Sequence, residues 1–415
     1  MNVRAWLSLH LGRPVLRVTA HSVTDSWGDG QVDRIRVMTV FGTRPEAVKM
    51  APLVQELRRR PEFETIVCVT AQHREQLDQV LVTFEIQPDY DLDIMESRQT
   101  LSSIVTKALP ELEAVMTERN PDLVLVHGDT STTFVASLAA FYAQVRIGHV
   151  EAGLRTWDKH SPYPEEMNRQ LTGVLADLHF APTRLAADNL LAEHKSAERI
   201  YVTGNTAIDA MRTTVAEHYA HPVLKAGAGR RLIYMTAHRR ENIGDPFEQI
   251  FSAVRDIADR YEDVHVVYPV HLNPAVREPA HRILGDHPRV SLIDPLDVVD
   301  AHNFMARAHL ILTDSGGVQE EAPFLGVPCL VLRDTTERPE GIEAGTLRLA
   351  GTDRAEIVEQ VERLLNDAQA HRAMAVAASP YGDGHASERI AAAILHDRGL
   401  GERPADFVPR AKSGA

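Results

Sequence analysis

Cysteine is almost missing from this chain. Cys68 and Cys329 are the only two in 415 residues, and each lies inside an apolar run, TIVCVT and VPCLVL. They read as buried free thiols in a reducing compartment, which excludes a disulfide scaffold and a cysteine-based metal site. Long apolar runs are missing too: none approaches the ~18 residues that a bilayer crossing needs. Positive charge is in deficit, with 44 Lys and Arg against 58 Asp and Glu and a net charge of −14. That balance argues against a nucleic-acid wrapper or a binder of anionic membranes. It leaves phosphate binding to a local gathering of arginines. The amino-terminal MNVRAWLSLHLGRPV has too short an apolar part, too broken by Ser, His and Arg, for a signal peptide. The expected location is the cytoplasm. Familiar catalytic signatures are also absent: no GxxxxGK[ST] loop, no HExxH, no GxSxG, and no GxGxxG after the first strand. No histidine spacing demands a metal.

What is present is an alternation of short β-rich runs and amphipathic helical patterns, in a chain too long for one comfortable core. Residues 1–33 have no persistent period and end in DSWGDGQVDR; they read as an appended extension, disordered or a misplaced translation start. From residue 34 come IRVMTVFG, ETIVCVTA, PDLVLVHGD, VRIGHVEAG, DLHFAPT and RIYVTGN. The polar AHPVLKAGAGRR (220–231) leads to a second series: LIYMTAH, VHVVYPVH, RVSLIDP, HLILTDSGG, VPCLVLRD and LRLAGTD. Continuous apolar runs separated by helices predict parallel sheets covered on both faces. The expectation is an α/β protein of two doubly wound, Rossmann-like domains facing across a cleft. The first spans 34–206 and is completed by a carboxyl-terminal helix within 384–400; the second spans 207–383; 401–415 is a loose tail.

Open parallel sheets bind ligands beyond the carboxyl ends of their strands, so the residues that follow each strand carry the chemistry. GTRPEAVKMAP (42–52) puts Arg44 and Lys49 at a helix start, suited to an anion or merely to a solvated cap. HGDTSTT (127–133) offers Asp129, with a helix cap as its plain alternative. HVEAGLR and SPYPEEMNR crowd Glu151, Glu165 and Glu166 with Arg155 and Arg169; Glu165 and Arg169, four apart, also fit a surface ion pair. In the second series, TAHRRENIG sets His238, Arg239 and Arg240 at a strand end, and YPVHLNP sets His271 at the next. TDSGGVQEEAP supplies Ser315, Gly316 and Gly317 before a helix bearing Glu320 and Glu321. The glycines admit a phosphate close to the backbone, and the helix start donates N–H groups to it. RDTTERPEG adds Arg333, Glu337 and Arg338.

Together, FGTRPEAVKMAP, TAQHREQLDQVL, VHGDTSTT, GHVEAGLRT, SPYPEEMNR, HRRENIG, YPVHLNP, LTDSGGVQEEAP and RDTTERPE resemble the non-hydrolysing UDP-N-acetylglucosamine 2-epimerase family. The resemblance covers nearly the whole chain except its two ends. It implies the two-domain fold of GT-B nucleotide-sugar glycosyltransferases and interconversion of UDP-GlcNAc and UDP-ManNAc without NAD, metal or other cofactor. UDP is eliminated to leave 2-acetamidoglucal and then adds back. By motif, Asp129, Glu151 and Glu165 become the catalytic carboxylates and His238 the assisting histidine. Arg44, Lys49, Ser315, Gly316, Gly317, Glu321 and Arg338 become substrate-binding residues. Gln72, His73, Arg239 and His271 match a site where, in bacterial relatives, a second UDP-GlcNAc binds as activator. Relatives are usually homodimers.

One departure bears on the nucleotide: DPLDVVDAHNFM carries Val298 and Ala301 where relatives commonly have aromatics. Four alternatives stay open from sequence: a hydrolysing 2-epimerase, a GT-B glycosyltransferase, an epimerase of a related UDP-sugar, and a non-catalytic nucleotide-sugar sensor. Which carboxylate removes the proton and which returns it is also open.

Overall fold

The computed structural model of the protein describes residues 34–70, 74–94 and 100–410. The first sheet holds β1 (Ile35–Phe41), β2 (Phe63–Val69), β3 (Tyr90–Asp91), β4 (Leu123–His127), β5 (Arg146–Val150), β6 (Leu178–Ala181) and β7 (Ile200–Val202). The second holds β8 (Arg231–Thr236), β9 (Val264–Pro269), β10 (Val290–Ile293), β11 (Leu310–Thr313), β12 (Cys329–Val331) and β13 (Leu347–Leu349). Their orders are β3-β2-β1-β4-β5-β6-β7 and β10-β9-β8-β11-β12-β13. All neighbours run parallel: Val37 of β1 lies opposite Thr65 and Leu123, and Ile233 of β8 opposite Val266 and Leu310.

The strands are mostly apolar on both sides because helices cover both faces. On one side of the first sheet, Val37 and Phe41 pack with Leu53 of the Arg44–Arg59 helix and with Ile390 and Ile394 of the Ala386–Asp397 helix. On the other, Met38 and Val40 meet Leu112 and Ala136 of the Leu101–Arg119 and Ser131–Tyr142 helices. The last helix of the chain therefore returns to the first sheet. To do so the backbone crosses between sheets twice, and the crossings touch: Asn205 donates its N–H to the Tyr381 carbonyl at 2.7 Å. Gly204 (φ +85°) is required there, since a Cβ would stand 3.3 Å from the Gly382 Cα. Cys68 and Cys329 are buried free thiols. No helix among the described residues is long and apolar enough to cross a membrane.

Two features differ from expectation. A seventh strand, β3, joins the first sheet at its edge; at two residues it is too short to leave a period in the sequence. The segment after the last helix, expected to be loose, is docked through residue 410. Phe407 is buried and donates its N–H to Val202, and Arg403 stacks over the Tyr201 ring at 4.2 Å. Residues 1–33 and 411–415 lie outside the described residues.

Asp397 ties the last helix to the first sheet, binding Arg146 and Arg199 with its own side chain only 3% exposed. Burial opposes its charge, but the two guanidinium groups outweigh burial and hold its pKa below the ordinary 3.8. Asp397→Ala strands two partly exposed arginines. It is expected to cost about 1–3 kcal/mol, discounted from a fully buried pair, seen as a lower thermal midpoint near neutral pH. A depressed carboxylate stabilises above its unfolded pKa and loses that contribution as pH falls through the folded value. The gap between wild type and variant should therefore narrow in acid.

Candidate active site

In each sheet the connections reverse direction at one place, between β1 and β4 and between β8 and β11. Loops leaving strand ends there diverge and open a crevice. The residues at those ends are 42–44, 128–130, 237–239 and 314–317. Glu46, 2% exposed, joins the first two turns. It accepts from the N–H groups of Gly42 (3.1 Å) and Thr43 (2.8 Å) and from the Thr130 hydroxyl (2.7 Å).

The acids expected from the first domain gather beside these turns. Thr130, and not Asp129, caps the Ser131–Tyr142 helix, its hydroxyl accepting from Thr133 N–H at 3.1 Å. The Asp129 carboxylate is engaged elsewhere: Arg169 Nη2 lies 2.5 Å from its Oδ2. Arg169 also stands 3.4 Å from Glu166, so the expected surface pair with Glu165 gives way to an inward-facing arginine whose side chain is 12% exposed. Glu166 is fully buried and accepts from the N–H groups of Thr156 and Trp157, which fixes the start of the Glu165–Leu175 helix. Burial raises the proton affinity of Asp129 further than Arg169 lowers it, and the nearby charges of Glu151 and Glu165 add to the rise.

Glu151 is set up the opposite way. It follows β5 in a left-handed conformation (φ +60°), uncommon for a residue with a side chain of this kind. Its Oε2 receives the Lys49 ammonium and the Asn205 amide (2.9 Å), with His127 Nε2 at 3.7 Å. Burial alone would raise its pKa; Lys49, together with His127 and Arg338, outweighs burial and holds it well below the ordinary carboxylate value. Its Oε1 has no hydrogen-bond partner among the described residues. That oxygen lies 3.6 Å from where a Cβ on Gly128 would stand, and Gly128 itself has φ +66°. Lys49, expected as a cation for phosphate, thus gives its ammonium to Glu151, with Glu320 at 3.9 Å.

The second domain supplies an anion cradle. Ser315 precedes the Gly316–Leu325 helix, but its hydroxyl caps no backbone N–H, which leaves it for a ligand. A Cβ on Gly316 would stand 3.5 Å from Arg338 Nη2 and 3.6 Å from Arg239 Nη2, so two guanidinium groups flank a helix start. Asp314, fully buried, organises the neighbouring loop by accepting from the N–H groups of His238 and Arg239 (2.8 Å each) and from Asn242 (3.1 Å). His238 turns Nδ1 toward Asp314 Oδ1 at 3.4 Å and stacks on His271, centroids 5.7 Å apart. Desolvation lowers the His238 pKa against the pull of Asp314, and His271, Arg239 and Arg44 lower it further. The net shift favours the neutral imidazole.

Between the domains lies a cavity of about 360 Å³. Arg44, Lys49, Ser315 and Gly317 line one part; Leu296, Val298, Ala301 and Met305 line an apolar part. Glu321 faces the same cavity, 3.6 Å from His302 Nε2. Of the expected residues, Arg44, Lys49, Ser315, Gly317 and Glu321 line this cavity; Glu151 meets it through Lys49, Gly316 and Arg338 adjoin Ser315, His238 stands on the neighbouring loop, and Asp129 lies within the field of Glu151 and Glu165. Arg239, expected with His271 around an activator site beside the substrate, flanks Gly316, and His271 stacks on His238. Gln72 and His73 lie outside the described residues. Sequence reasoning missed Asn205, Glu46, His127, and the inward role of Arg169. The described residues hold no cluster of His, Cys, Asp and Glu able to bind a metal.

The family model of UDP-N-acetylglucosamine 2-epimerase matches residues 55–395. The chain is 60% identical over 376 residues to the UDP-N-acetylglucosamine 2-epimerase of Bacillus subtilis (strain 168), covering 90% of this chain and 99% of that one. Among solved structures it is similar to the S. aureus MnaA–UDP co-structure, with 56% identity, a TM-score of 0.84, and coverage of 90% and 100%. It is also similar to the UDP-GlcNAc 2-epimerase of Neisseria meningitidis bound to UDP-GlcNAc, with 46% identity, a TM-score of 0.80, and coverage of 87% and 100%.

The cradle can be tested without any assumption about chemistry. Gly316→Val places a branched side chain between Arg239 and Arg338. It is expected to weaken inorganic pyrophosphate binding at least ~10-fold in calorimetry, one to two charge-assisted hydrogen bonds being lost. The thermal midpoint should change little.

Proposed function

The chain belongs to the UDP-N-acetylglucosamine 2-epimerase family, and on that premise we propose that it interconverts UDP-GlcNAc and UDP-ManNAc without hydrolysing either. The C2 proton of the sugar is not acidified by a neighbouring carbonyl, so direct removal is slow. Coupling removal to departure of UDP solves this. The C2–H electron pair becomes the C1=C2 bond, the C1–O pair leaves with UDP, and the product is 2-acetamidoglucal. Re-addition of UDP to C1, with a proton delivered to the other face of C2, gives the epimer. The reaction needs a charged acceptor on one face, a proton donor on the other, and cations around the departing diphosphate.

The observation that carries this reading is the unequal pair of carboxylates opposite the two-arginine cradle. Glu151, held ionised by Lys49 with Oε1 open, suits the acceptor; Asp129, whose proton affinity is raised, suits the donor; the roles exchange in the reverse direction. Glu165 sustains the raised affinity of Asp129. Arg338, Arg44, Ser315 and the helix start at Gly316 receive the diphosphate, with neutral His238 as a further hydrogen-bond donor. Glu321 suits the ribose hydroxyls, and the apolar stretch with Val298 and Ala301 the base. A second UDP-GlcNAc acting as activator beside Arg239 and His271 belongs to the same proposal.

Proton NMR of UDP-GlcNAc with the protein in heavy water tests it. The expected result is deuterium at C2 and a new UDP-ManNAc anomeric signal, with no free ManNAc and no acceptor required. Free ManNAc would instead indicate the hydrolysing reaction, and saturable binding without exchange a sensor. Asp129→Asn and Glu151→Gln should each slow exchange by about two orders of magnitude or more while still binding UDP.

We also propose a homodimer. Phe141, Tyr142 and Val174 are more than half exposed on two adjacent helices of the first domain, a grouping that suits contact with a second copy. Light scattering should give twice the chain mass of 46.1 kDa for the wild type and a monomer for Phe141→Glu combined with Val174→Glu.

A further inference from the structure

Asn205 stands where the chain first crosses between the sheets, in TGNTAID, and taken alone it is a helix cap. Its Oδ1 accepts from the Ala207 N–H at 2.9 Å at the start of the Thr206–Thr214 helix. That bond decides which way the amide faces, since the oxygen is committed to the helix and both N–H bonds must point away from it. They point at two carboxylates from different domains. Nδ2 lies 2.9 Å from Glu151 Oε2 and 2.9 Å from Glu320 Oε2.

Glu320 is 2% exposed and is one residue from Glu321, yet it turns away from the cavity into the interior. Its other oxygen accepts from Arg338 Nε at 2.6 Å, and Lys49 stands 3.9 Å off. A single amide thus links the Glu151 carboxylate to the helix that begins the anion cradle and, through Glu320, to one of the cradle's two arginines. Asn205 is 3% exposed, and every polar atom of its side chain is used. A bare cap would need the oxygen alone.

We propose that Asn205 is a positioning residue for Glu151. Its amide holds Oε2 so that Oε1 is presented to C2 of the sugar, and its bond to Glu320 makes that placement depend on the two domains meeting over the substrate. Neither Asn205 nor Glu320 touches the ligand. This inference rests on the proposed epimerisation, and it assigns to Asn205 an effect on proton transfer and not on nucleotide binding.

Asn205→Ser separates the two duties. Serine caps a helix start about as well as asparagine, so folding is protected, but its hydroxyl cannot reach both carboxylates. Three measurements are compared with wild type: thermal midpoint, UDP affinity by calorimetry, and the rate of C2 deuterium exchange in UDP-GlcNAc. The expected result is a folded variant with UDP affinity within about 3-fold of wild type and exchange slowed about 10–100-fold, the worth of one charge-assisted hydrogen bond. In a Glu151→Gln background the same substitution should change the residual exchange little, because the carboxylate it positions is gone. Wild-type exchange in folded Asn205→Ser overturns the inference. So does an equal loss of exchange and UDP affinity, which would make Asn205 a hinge residue only, and so does a full additional loss in the Glu151→Gln background. If Asn205→Ser fails to fold, Glu320→Asp, one methylene too short to hold Asn205 and Arg338 together, is read by the same three measurements. A wild type that binds UDP but exchanges nothing brings down the epimerase reading, and the inference with it.

Discussion

A buried carboxylate must be kept ionised, and the rest of the site is arranged around that requirement. Water would do this at the surface; inside the crevice the Glu151 charge costs several kcal/mol unless donors replace the lost solvent. Lys49 and Asn205 replace it on one oxygen only. The asymmetry matters because an oxygen already accepting two hydrogen bonds is a poor proton acceptor, whereas its unbonded partner keeps the charge available. The left-handed backbone at Glu151 and the missing side chain at Gly128 serve the same end, one aiming the carboxylate and the other leaving room in front of it.

The two sheets divide the electrostatic work. Asp129 and Glu151 come from the first domain and the guanidinium groups flanking Gly316 from the second, although the chain as a whole carries −14. The proposed elimination, which would move electron density from C2 toward a departing diphosphate, would be helped by this gradient, since negative charge would leave the side rich in carboxylates and arrive beside Arg338 and a helix start. The carboxylates of Asp129 and Glu151 are likewise unequal. Burial raises the proton affinity of Asp129 and the charges of Glu151 and Glu165 add to the rise, whereas at Glu151 burial is outweighed by the cations beside it.

Much of this was legible in the sequence because parallel sheets put chemistry at strand ends. Twelve of the strands announced themselves as apolar runs, and the residues directly after β1, β4, β5, β8 and β11 proved to be those that meet at the crevice. What escaped was long-range partnership. Arg169 sits four residues from Glu165, a spacing that suggests a surface pair; its actual partner, Asp129, is forty residues away and visible only once β4 and the Glu165–Leu175 helix are packed together. Lys49 reads as a free cation until Glu151, 102 residues later and just past β5, is found beside it. Asn205 reads as a cap, which it is, and a cap's oxygen gives no hint of what its nitrogen does. β3 left no trace because two residues cannot show an alternation.

Glu320 and Glu321 show the limit most sharply. Adjacent residues on a helix point about 100° apart, so of two glutamates in a row only one can face a given cavity. Composition and spacing cannot say which, because the phase of the helix is decided by its packing: Gln319, Glu320 and Ala322 are buried, and Glu321 is left at the cavity wall. In that phase Glu320 falls next to Arg338 Nε and Asn205, while Glu321 falls next to His302. Partners distant in the sequence, Asn205 and Arg338, therefore accompany the choice of which acid supports the interior and which is left at the cavity wall.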